Sequence, residues 1–191
     1  TLFRSIQVAL GEDLGEGAVR EVGKMVDVFT KSTHELEQLD LKGKMLAVGS
    51  AINELGASSS AQEDYLVQFA GRLGGVAAQA NIGIDSILGF ASVLDQDMQQ
   101  VEMSATALQQ IIIKMMGDPA KFARIAGVEV SKFTDLVRND ANEAIKVLLR
   151  SLNEKGGFAE LVPLFDEMGL SGTRAVGVLS SMASSVDKID E

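Results

Sequence analysis

The sequence predicts an all-α fold, a compact array of about eight to ten short and medium helices joined by Gly-rich turns. Apolar residues recur at spacings of three and four along most of the 191-residue chain, and only 2 Pro interrupt them. Aromatic residues make up 5% of the chain, so we expect a core of mainly aliphatic and Met side chains. The alternation at Val128-Glu129-Val130 is too short to predict a strand.

The predicted helices follow one another with short connections. The first is amphipathic and spans residues 19–32, with Val22, Val26 and Phe29 on one face. The most apolar helix spans residues 101–116. In chain order, the other predicted helices lie at residues 44–55, 60–76, 86–95, 120–126, 132–137, 141–154, 158–168 and 173–189.

Polar residues mark the predicted helix starts. Ser60 and Glu63 have the spacing of a capping box, in which each side chain accepts a hydrogen bond from the other residue's backbone N–H. Asp118 before Pro119 combines a cap with a first-turn proline. The other predicted N-caps are Asp85, Ser131, and Asn139 or Asp140.

A Gly–apolar–polar sequence recurs at four predicted helix junctions. Gly favours the left-handed conformation that follows many helices, and the next apolar side chain folds back on the final turn. The polar residue then satisfies free N–H groups of the next helix. The four junctions are Gly56-Ala57-Ser58, Gly83-Ile84-Asp85, Gly127-Val128-Glu129 and Gly169-Leu170-Ser171.

Several glycines lie inside the predicted helices, where each costs about 1 kcal/mol relative to Ala. We expect them to allow close backbone approach between helices. The alternative is plasticity, with helices that bend or repack. These glycines are Gly49, Gly71, Gly74, Gly89 and Gly177.

Charge and cysteine content exclude several kinds of site. The net charge of −10 disfavours binding to nucleic acids and to anionic membranes, and its simplest role is solubility. The absence of Cys excludes disulfides and thiolate metal sites. The longest charge-free runs are about 12 residues, whereas a membrane-spanning helix needs about 20. Because the chain starts at Thr1 without a signal-peptide pattern, we expect a fragment of a longer protein.

His34 is the 1 histidine of the chain, and both a zinc site and a Ser–His–Asp triad would have to use it. We expect a surface residue near the C-terminal end of a helix instead. The serines at residues 58–60, 180–181 and 184–185 are expected to act as caps or small packing residues.

Acidic pairs lack the surroundings that metal or acid–base chemistry needs. Asp95 and Asp97 do not continue into the ligand pattern of a calcium loop, so we expect a solvated turn between helices. Glu12 and Asp13 lie within residues 11–17, a Gly-rich stretch without the Lys-Ser/Thr of a phosphate loop. The sequence therefore predicts a linker there, and no catalytic, cofactor-binding or metal-binding residue anywhere in the chain.

The helix predicted at residues 101–116 is apolar around more than half of its circumference. Such a helix is buried either in its own domain or against another subunit, and the sequence leaves both open. The residues of this row are Met103, Ala107, Leu108, Ile111, Ile112 and Met115.

Six segments in a fixed order carry a family resemblance. They are residues 48–56, 69–77 and 84–94, a small-x-x-Ala-Leu helix at residues 104–111, the turn Gly127-Val128-Glu129, and residues 164–176. Together they resemble the conserved core domain of tail tape measure proteins from long-tailed phages and prophages. The resemblance covers residues 46–179, and each segment alone is only a helix-packing pattern.

The resemblance implies a non-enzymatic, structural role. A protein of this family sets tail length while tube subunits polymerise around it, and it later assists passage of the genome into the host. The implied partners are the tail tube protein, tail assembly chaperones, baseplate or tail-tip proteins, and further copies of the chain. The implied location is the host cytoplasm during assembly and then the virion tail, and membrane contact is expected only through other parts of the protein.

We expect two regions: an N-terminal helical or linker segment at residues 1–40 and the helical core domain at residues 41–191. Two rival functions stay open at this point. One is a helical adaptor or membrane-active bacterial binding module without enzymatic activity. The other is a hydrolase of an uncommon helical type.

Overall fold

The structure, a computed structural model, describes residues 16–170 and 172–189. Eleven α-helices and two short 3₁₀ helices make up this part of the chain, which contains no strand. The predicted all-α fold is confirmed. The α-helices are α1 (Glu16–Phe29), α2 (His34–Glu37), α3 (Leu41–Ser58), α4 (Glu63–Gln79), α5 (Ile84–Gln96), α6 (Val101–Gly117), α7 (Pro119–Ala126), α8 (Val130–Asn139), α9 (Ala141–Glu154), α10 (Phe158–Glu167) and α11 (Thr173–Ser184). The 3₁₀ helices are Thr30–Ser32 and Val186–Lys188.

Two groups of helices make up the array. Helix α4 lies at the centre of the first group and packs against α1, α5 and α6, while α3 covers α1 and α4. Helices α7, α8 and α9 pack against one another and form the second group. Helix α11 contacts α5 and α6 on one side and α9 on the other, so it joins the two groups.

One hydrophobic core extends through both groups. It includes Val22 and Val26 of α1, so side chains from before residue 40 pack with those that follow it. The division at residue 40 stays a prediction. Aliphatic side chains dominate the core, as expected, but most of the few aromatic residues are also fully buried in it. The fully buried phenylalanines are Phe29, Phe69, Phe90, Phe122, Phe133 and Phe165.

Two predicted N-caps are confirmed. The Lys121 backbone N–H donates to Asp118 Oδ1 at 3.1 Å at the start of α7. At the start of α9, the Glu143 N–H donates to Asp140 Oδ1 at 2.9 Å. In both cases the acceptor lies three residues before the donor, so the local sequence is enough to form the cap.

Three predicted N-caps are wrong. Helix α4 begins at Glu63 rather than after Ser60, and α5 begins at Ile84, one residue before Asp85. Helix α8 begins at Val130, so Ser131 lies inside it and donates its hydroxyl to Glu129. This hydrogen bond is the largest cause of a lowered pKa at Glu129.

Two of the four predicted Gly junctions have the expected left-handed turn. The expected polar cap is absent at Glu129, whose side chain makes no cap hydrogen bond, and Ser171 lies outside the described residues. Gly127 and Gly169 adopt left-handed φ values of 70° and 71°. Beyond them, the backbone N–H of Val128 donates to the Ala123 carbonyl and that of Leu170 to the Phe165 carbonyl, at 3.0 and 2.8 Å. These bonds close the final turns of α7 and α10.

The other two Gly junctions are wrong. Gly56 lies within α3, and Gly83 has an extended conformation immediately before α5. The left-handed residue after α4 is Asn81, with a φ of 57°, and the one after α5 is Met98, also at 57°. A helix-ending turn of the same kind is therefore formed in this group without Gly.

The interior glycines divide into two kinds. A Cβ at Gly74 would lie 3.2 Å from Val28 Cγ1, and one at Gly89 would collide with the carbonyl oxygen of Ile189. At Gly71 and Gly177 a Cβ would meet nothing within 4 Å. Close approach therefore explains Gly74 and Gly89 but gives no reason for Gly71 or Gly177.

Candidate functional site

The apolar row of α6 belongs to the core of this chain. Leu108 and Met115 are completely buried, and Met103 packs against the core at partial exposure. The row faces α4 on one side and α11 on the other. The apolar surface that α6 leaves exposed lies instead at Ile113 and Met116, near its C-terminal end.

His34 lies on the surface, as expected. It follows the 3₁₀ helix Thr30–Ser32 by two residues, so it lies near a helix end as expected, and it also begins the single-turn helix α2. Its Nδ1 atom lies 3.7 Å from the Glu37 carboxylate, and the imidazole is 85% exposed. Across residues 16–170 and 172–189, no three His or acidic side chains are grouped as metal ligands would be.

Asp97 lies in the turn between α5 and α6, as expected, and this turn is partly exposed. Asp95 and Asp97 are not left to solvent alone, because each carboxylate also accepts hydrogen bonds from another part of the fold. Both residues are half-buried. The Gln62 backbone N–H donates to Asp95 Oδ2 at 2.6 Å, which supplies the start of α4 with a cap from another helix. Ser181 of α11 and Ser185, which immediately follows this helix, both donate to Asp97 Oδ2, at 2.6 and 2.9 Å. Glu12 and Asp13 lie outside the described residues.

The serines of the three predicted clusters make two kinds of hydrogen bond, some within one helix end and others to a remote residue. Ser59 donates its hydroxyl to the Leu55 carbonyl at 2.6 Å and accepts the Ala61 N–H at 3.1 Å, so it closes the end of α3 as expected. Ser181 and Ser185 instead contribute the remote contact with Asp97. Their spacing of four residues places both hydroxyls on one face at the end of α11, which lets a single carboxylate oxygen accept from both.

A buried polar pair links α4 to α6. The Tyr65 hydroxyl donates to Ser104 Oγ at 2.8 Å, and Ser104 is fully buried. Burial raises the pKa of Tyr65 to about 12, against the opposing effect of the Ser104 hydrogen bond. Nearby Asp95 and Glu102 raise it further. A Tyr on the apolar face of a helix needs a polar partner, but the sequence does not indicate which one.

A second set of charges lies where α9 meets the final 3₁₀ helix. Arg150 Nη1 lies 3.0 Å from Glu143 Oε1, and Arg150 Nε lies 3.5 Å from Asp187 Oδ1. The buried Lys146 lies 3.5 Å from Glu143 as well. These contacts hold the last described turn against α9. The positive charges of Arg150 and Lys146 balance the negative charges of Glu143 and Asp187, so we interpret this group as a structural contact.

Surface clefts in the described part of the chain include two that lie between helices. The one between α3, α5 and the final 3₁₀ helix has a volume of about 300 Å³ and is lined by polar and apolar groups, including Ser92 and Lys188. The other, which we name the α1–α4 cleft, has a volume of about 170 Å³. Its lining is mostly apolar and also includes Glu21 and Lys24, which form an ion pair at 2.7 Å. The other lining residues are Met25, Val28, Phe29, Ala70, Gly71 and Gly74.

Comparisons of this chain with protein-family models, curated proteins and solved structures find no match. Among the helices that the structure describes, none combines the length and apolar character needed to cross a bilayer. The functional interpretation therefore depends on the residues of the chain itself. The described residues form polar contacts between helices and line surface clefts.

Proposed function

We propose that this chain is a structural and assembly component of a phage tail, part of a tape measure protein that sets tail length and assists genome ejection. The observation that carries the proposal is the order and spacing of the six resembling segments between residues 46 and 179. Four of these segments lie in α3, α4, α5 and α6, which pack around α4 as one group. The resembling residues are thus those that build the helical array.

The proposal is supported by the way the chain uses its polar groups. The Tyr65 hydroxyl, the Asp97 carboxylate and the Arg150 guanidinium each connect two elements of the fold. A role in packing and assembly needs such contacts, whereas acid–base or nucleophilic catalysis needs groups that face a substrate cleft. We therefore propose a non-enzymatic function.

The proposed partners are the tail tube protein, tail assembly chaperones and baseplate or tail-tip proteins. The net charge of −10 supports a protein that stays soluble in the host cytoplasm before it is enclosed in the tail.

The decisive experiment is an in-frame deletion series in the long helical region of the full-length protein, with tail lengths measured by electron microscopy. If the protein acts as a ruler, each deleted helical residue shortens the tail by about 1.5 Å. Tails of unchanged length after large deletions would contradict the proposal.

A matched pair of substitutions on α6 connects this domain to assembly. Leu108 is fully buried, and Leu108→Asp would place an unpaired carboxylate in the core, so we expect tail formation to be lost. Ile113 is 54% exposed on the same helix, and Ile113→Asp should give normal numbers of tails of normal length. Normal assembly by Leu108→Asp would show that this domain is dispensable for the tail.

The second candidate function is a helical adaptor, and the α1–α4 cleft favours it. An exposed apolar cleft is a typical docking site for an apolar side chain of a partner. The two candidates differ in their genetic setting. Genes for a major tail protein and tail chaperones beside this one support the tape measure, and their absence supports the adaptor.

A further inference from the structure

Helix α10 lies between two glycines with positive φ values. Gly156, before the helix, has a φ of 130°, and Gly169, after it, has a φ of 71°. A residue with a Cβ rarely adopts either conformation, whereas Gly adopts both without steric cost. The chain can therefore bend at both ends of α10 with little steric resistance.

The attachment of α10 to the rest of the molecule is narrow. Its main helix contact is with α11. Across residues 16–170 and 172–189, we find no hydrogen bond or ion pair between a side chain of α10 and another element. Helices α4, α9 and α11 each make such a polar contact. Apolar packing is therefore what holds α10 in place, through the buried side chains of Leu161 and Phe165 and through Met168 just beyond the helix.

By itself, α10 is a weak helix. Pro163 lies inside it and has no backbone N–H, so the hydrogen bond to the Ala159 carbonyl is missing. The first turn is solvated, with Phe158 56% exposed. An isolated helix of 10 residues is marginal in water even without Pro. Loss of its apolar contacts should therefore unfold α10, so that its packing and its helical structure are lost together.

Helix α8 offers a comparison within the same chain. It also has 10 residues, and it also buries a phenylalanine, Phe133. However, it packs against both α7 and α9 and contains no Pro. Opening of α8 would break two helix interfaces, whereas opening of α10 breaks mainly the one with α11. We therefore expect α10 to open at a lower free energy than α8.

We infer that α10 is a flap that opens while the other helices stay folded. The α10 flap comprises residues 156–169 and bends at its two terminal glycines. In the closed state Leu161 and Phe165 are buried. In the open state both side chains become accessible, and the part of α11 that α10 covers is exposed. The fold thus has a second conformation with additional apolar surface. The inference does not depend on the proposed role in a phage tail.

The first test is hydrogen exchange of the wild-type protein, measured by mass spectrometry in water and at low urea concentrations. We expect the amides of residues 164–168 to be protected at least about a hundredfold less than those of residues 134–139 in α8, because they exchange through opening of the flap. Their protection should also decrease less steeply with urea, since opening exposes less surface than global unfolding. Equal protection in the two helices, or equal urea dependence, overturns the inference.

A matched pair of substitutions separates opening of the flap from global unfolding. Phe165→Ala removes a fully buried side chain that is packed only in the closed state, so protection of the flap should decrease at least about tenfold. Phe133→Ala weakens α8, which is folded in both the closed and the open state. It should therefore lower protection in α8 and leave protection of the flap unchanged. If Phe133→Ala lowers protection of the flap as much as Phe165→Ala does, α10 exchanges only by global unfolding and the inference fails.

The last test detects exposure of the flap side chains directly. Because the chain has no Cys, an introduced thiol is the one that a thiol reagent labels. Leu161→Cys places it in the flap, and Leu149→Cys is the same substitution at a fully buried position of α9. Under native conditions we expect Leu161→Cys to be labelled at least about a hundredfold faster. Equal labelling rates in the two variants would contradict a flap that opens independently.

Discussion

Helices α4 and α5 of the first group have remote partners at their starts, whereas α7 and α9 of the second group have local caps. Helix α3, also in the first group, is capped locally by Asp40, whose Oδ1 accepts the Gly43 N–H at 2.7 Å. In the group around α4, the start of α5 depends on Thr33, whose Oγ1 accepts the Ile84 N–H at 3.0 Å. The start of α4 similarly depends on Asp95, 33 residues away. In the second group, Asp118 and Asp140 cap helices that begin at the very next residue.

Loss of a local cap and loss of a remote cap should affect the stability of different parts of the fold. A cap within three residues of its donor forms whenever the helix forms, even in a partly folded chain. A cap from another helix exists only when both helices are packed, so its loss affects the whole group. We therefore expect substitutions at the remote contacts of the first group to destabilise distant helices, and substitutions of the local caps Asp118 and Asp140 to act locally.

The largest effect is expected at Gly89, where a remote backbone segment lies against the helix. Gly89→Ala would place a methyl group against the Ile189 carbonyl oxygen, which cannot move like the end of a flexible side chain. We expect a loss of about 3 kcal/mol in the free energy of unfolding, measured by urea denaturation. Gly75→Ala on α4 is the control, because its Cβ would meet nothing within 4 Å. Equal effects of the two substitutions would show that the contact at Ile189 is unimportant.

A somewhat smaller loss is expected from the buried pair in the same group. Tyr65→Phe leaves the buried Ser104 hydroxyl without its donor, and we expect about 2 kcal/mol of destabilisation. The double variant Tyr65→Phe, Ser104→Ala should recover part of this loss, because no unpaired hydroxyl remains. A double variant whose loss is the sum of the two single losses would contradict coupling between the side chains.

The same tyrosine gives a pH dependence with a defined sign. In the unfolded chain Tyr65 ionises near pH 10.0, whereas in the folded chain its pKa is about 12. The contribution is fully present below pH 10.0 and is lost as the pH rises towards 12, because the unfolded state releases its proton first. The slope is at most about 1.4 kcal/mol per pH unit. Urea denaturation of Tyr65→Phe in parallel should show a shallower decline over this range.

Asp97 and Asp140 give the most direct comparison of remote and local contacts. Asp97→Ala removes the acceptor of two hydroxyls at the end of α11, and we expect about 1.5 kcal/mol of destabilisation. Asp140→Ala removes one local cap and should cost about 1 kcal/mol. Hydrogen exchange should accelerate in α11 for the first variant and only at the start of α9 for the second. Faster exchange across the whole chain in both would erase the distinction between the groups.

The same distinction explains which parts of the fold the sequence could predict. The predictions of N-caps at Asp118 and Asp140 are confirmed because each cap and its helix are adjacent in the chain. The predictions of N-caps at Ser60 and Asp85 are wrong because remote residues supply the acceptors. Asp95 accepts at the start of α4, and Thr33 accepts at the start of α5 from a donor 51 residues away. No local pattern contains such a partner, so helix existence was predictable and these boundaries were not.

The surface features were harder to predict than the core. The apolar row of α6 indicated burial, and its six members are buried or pack against the core. Met98 looked like any other apolar residue, because its exposure follows from a left-handed turn at a residue other than Gly. The α1–α4 cleft was equally hidden, since Met25 and Gly71 come from helices that are distant in sequence. Helices α1 and α4 meet only in the folded chain, so no sequence spacing indicates the cleft between them.

The smallest expected effect, a gain, concerns α11, the helix that joins the two groups. Gly177 lies inside this helix, and a Cβ there would meet nothing within 4 Å. Gly177→Ala should therefore raise the free energy of unfolding by about 0.5–1 kcal/mol, through the higher helix propensity of Ala and a less flexible unfolded chain. A loss of stability would show that Gly is required in the folded helix. If the isolated domain gains stability while tail assembly fails, Gly177 serves the bending of α11, and the connection between the two groups is a hinge.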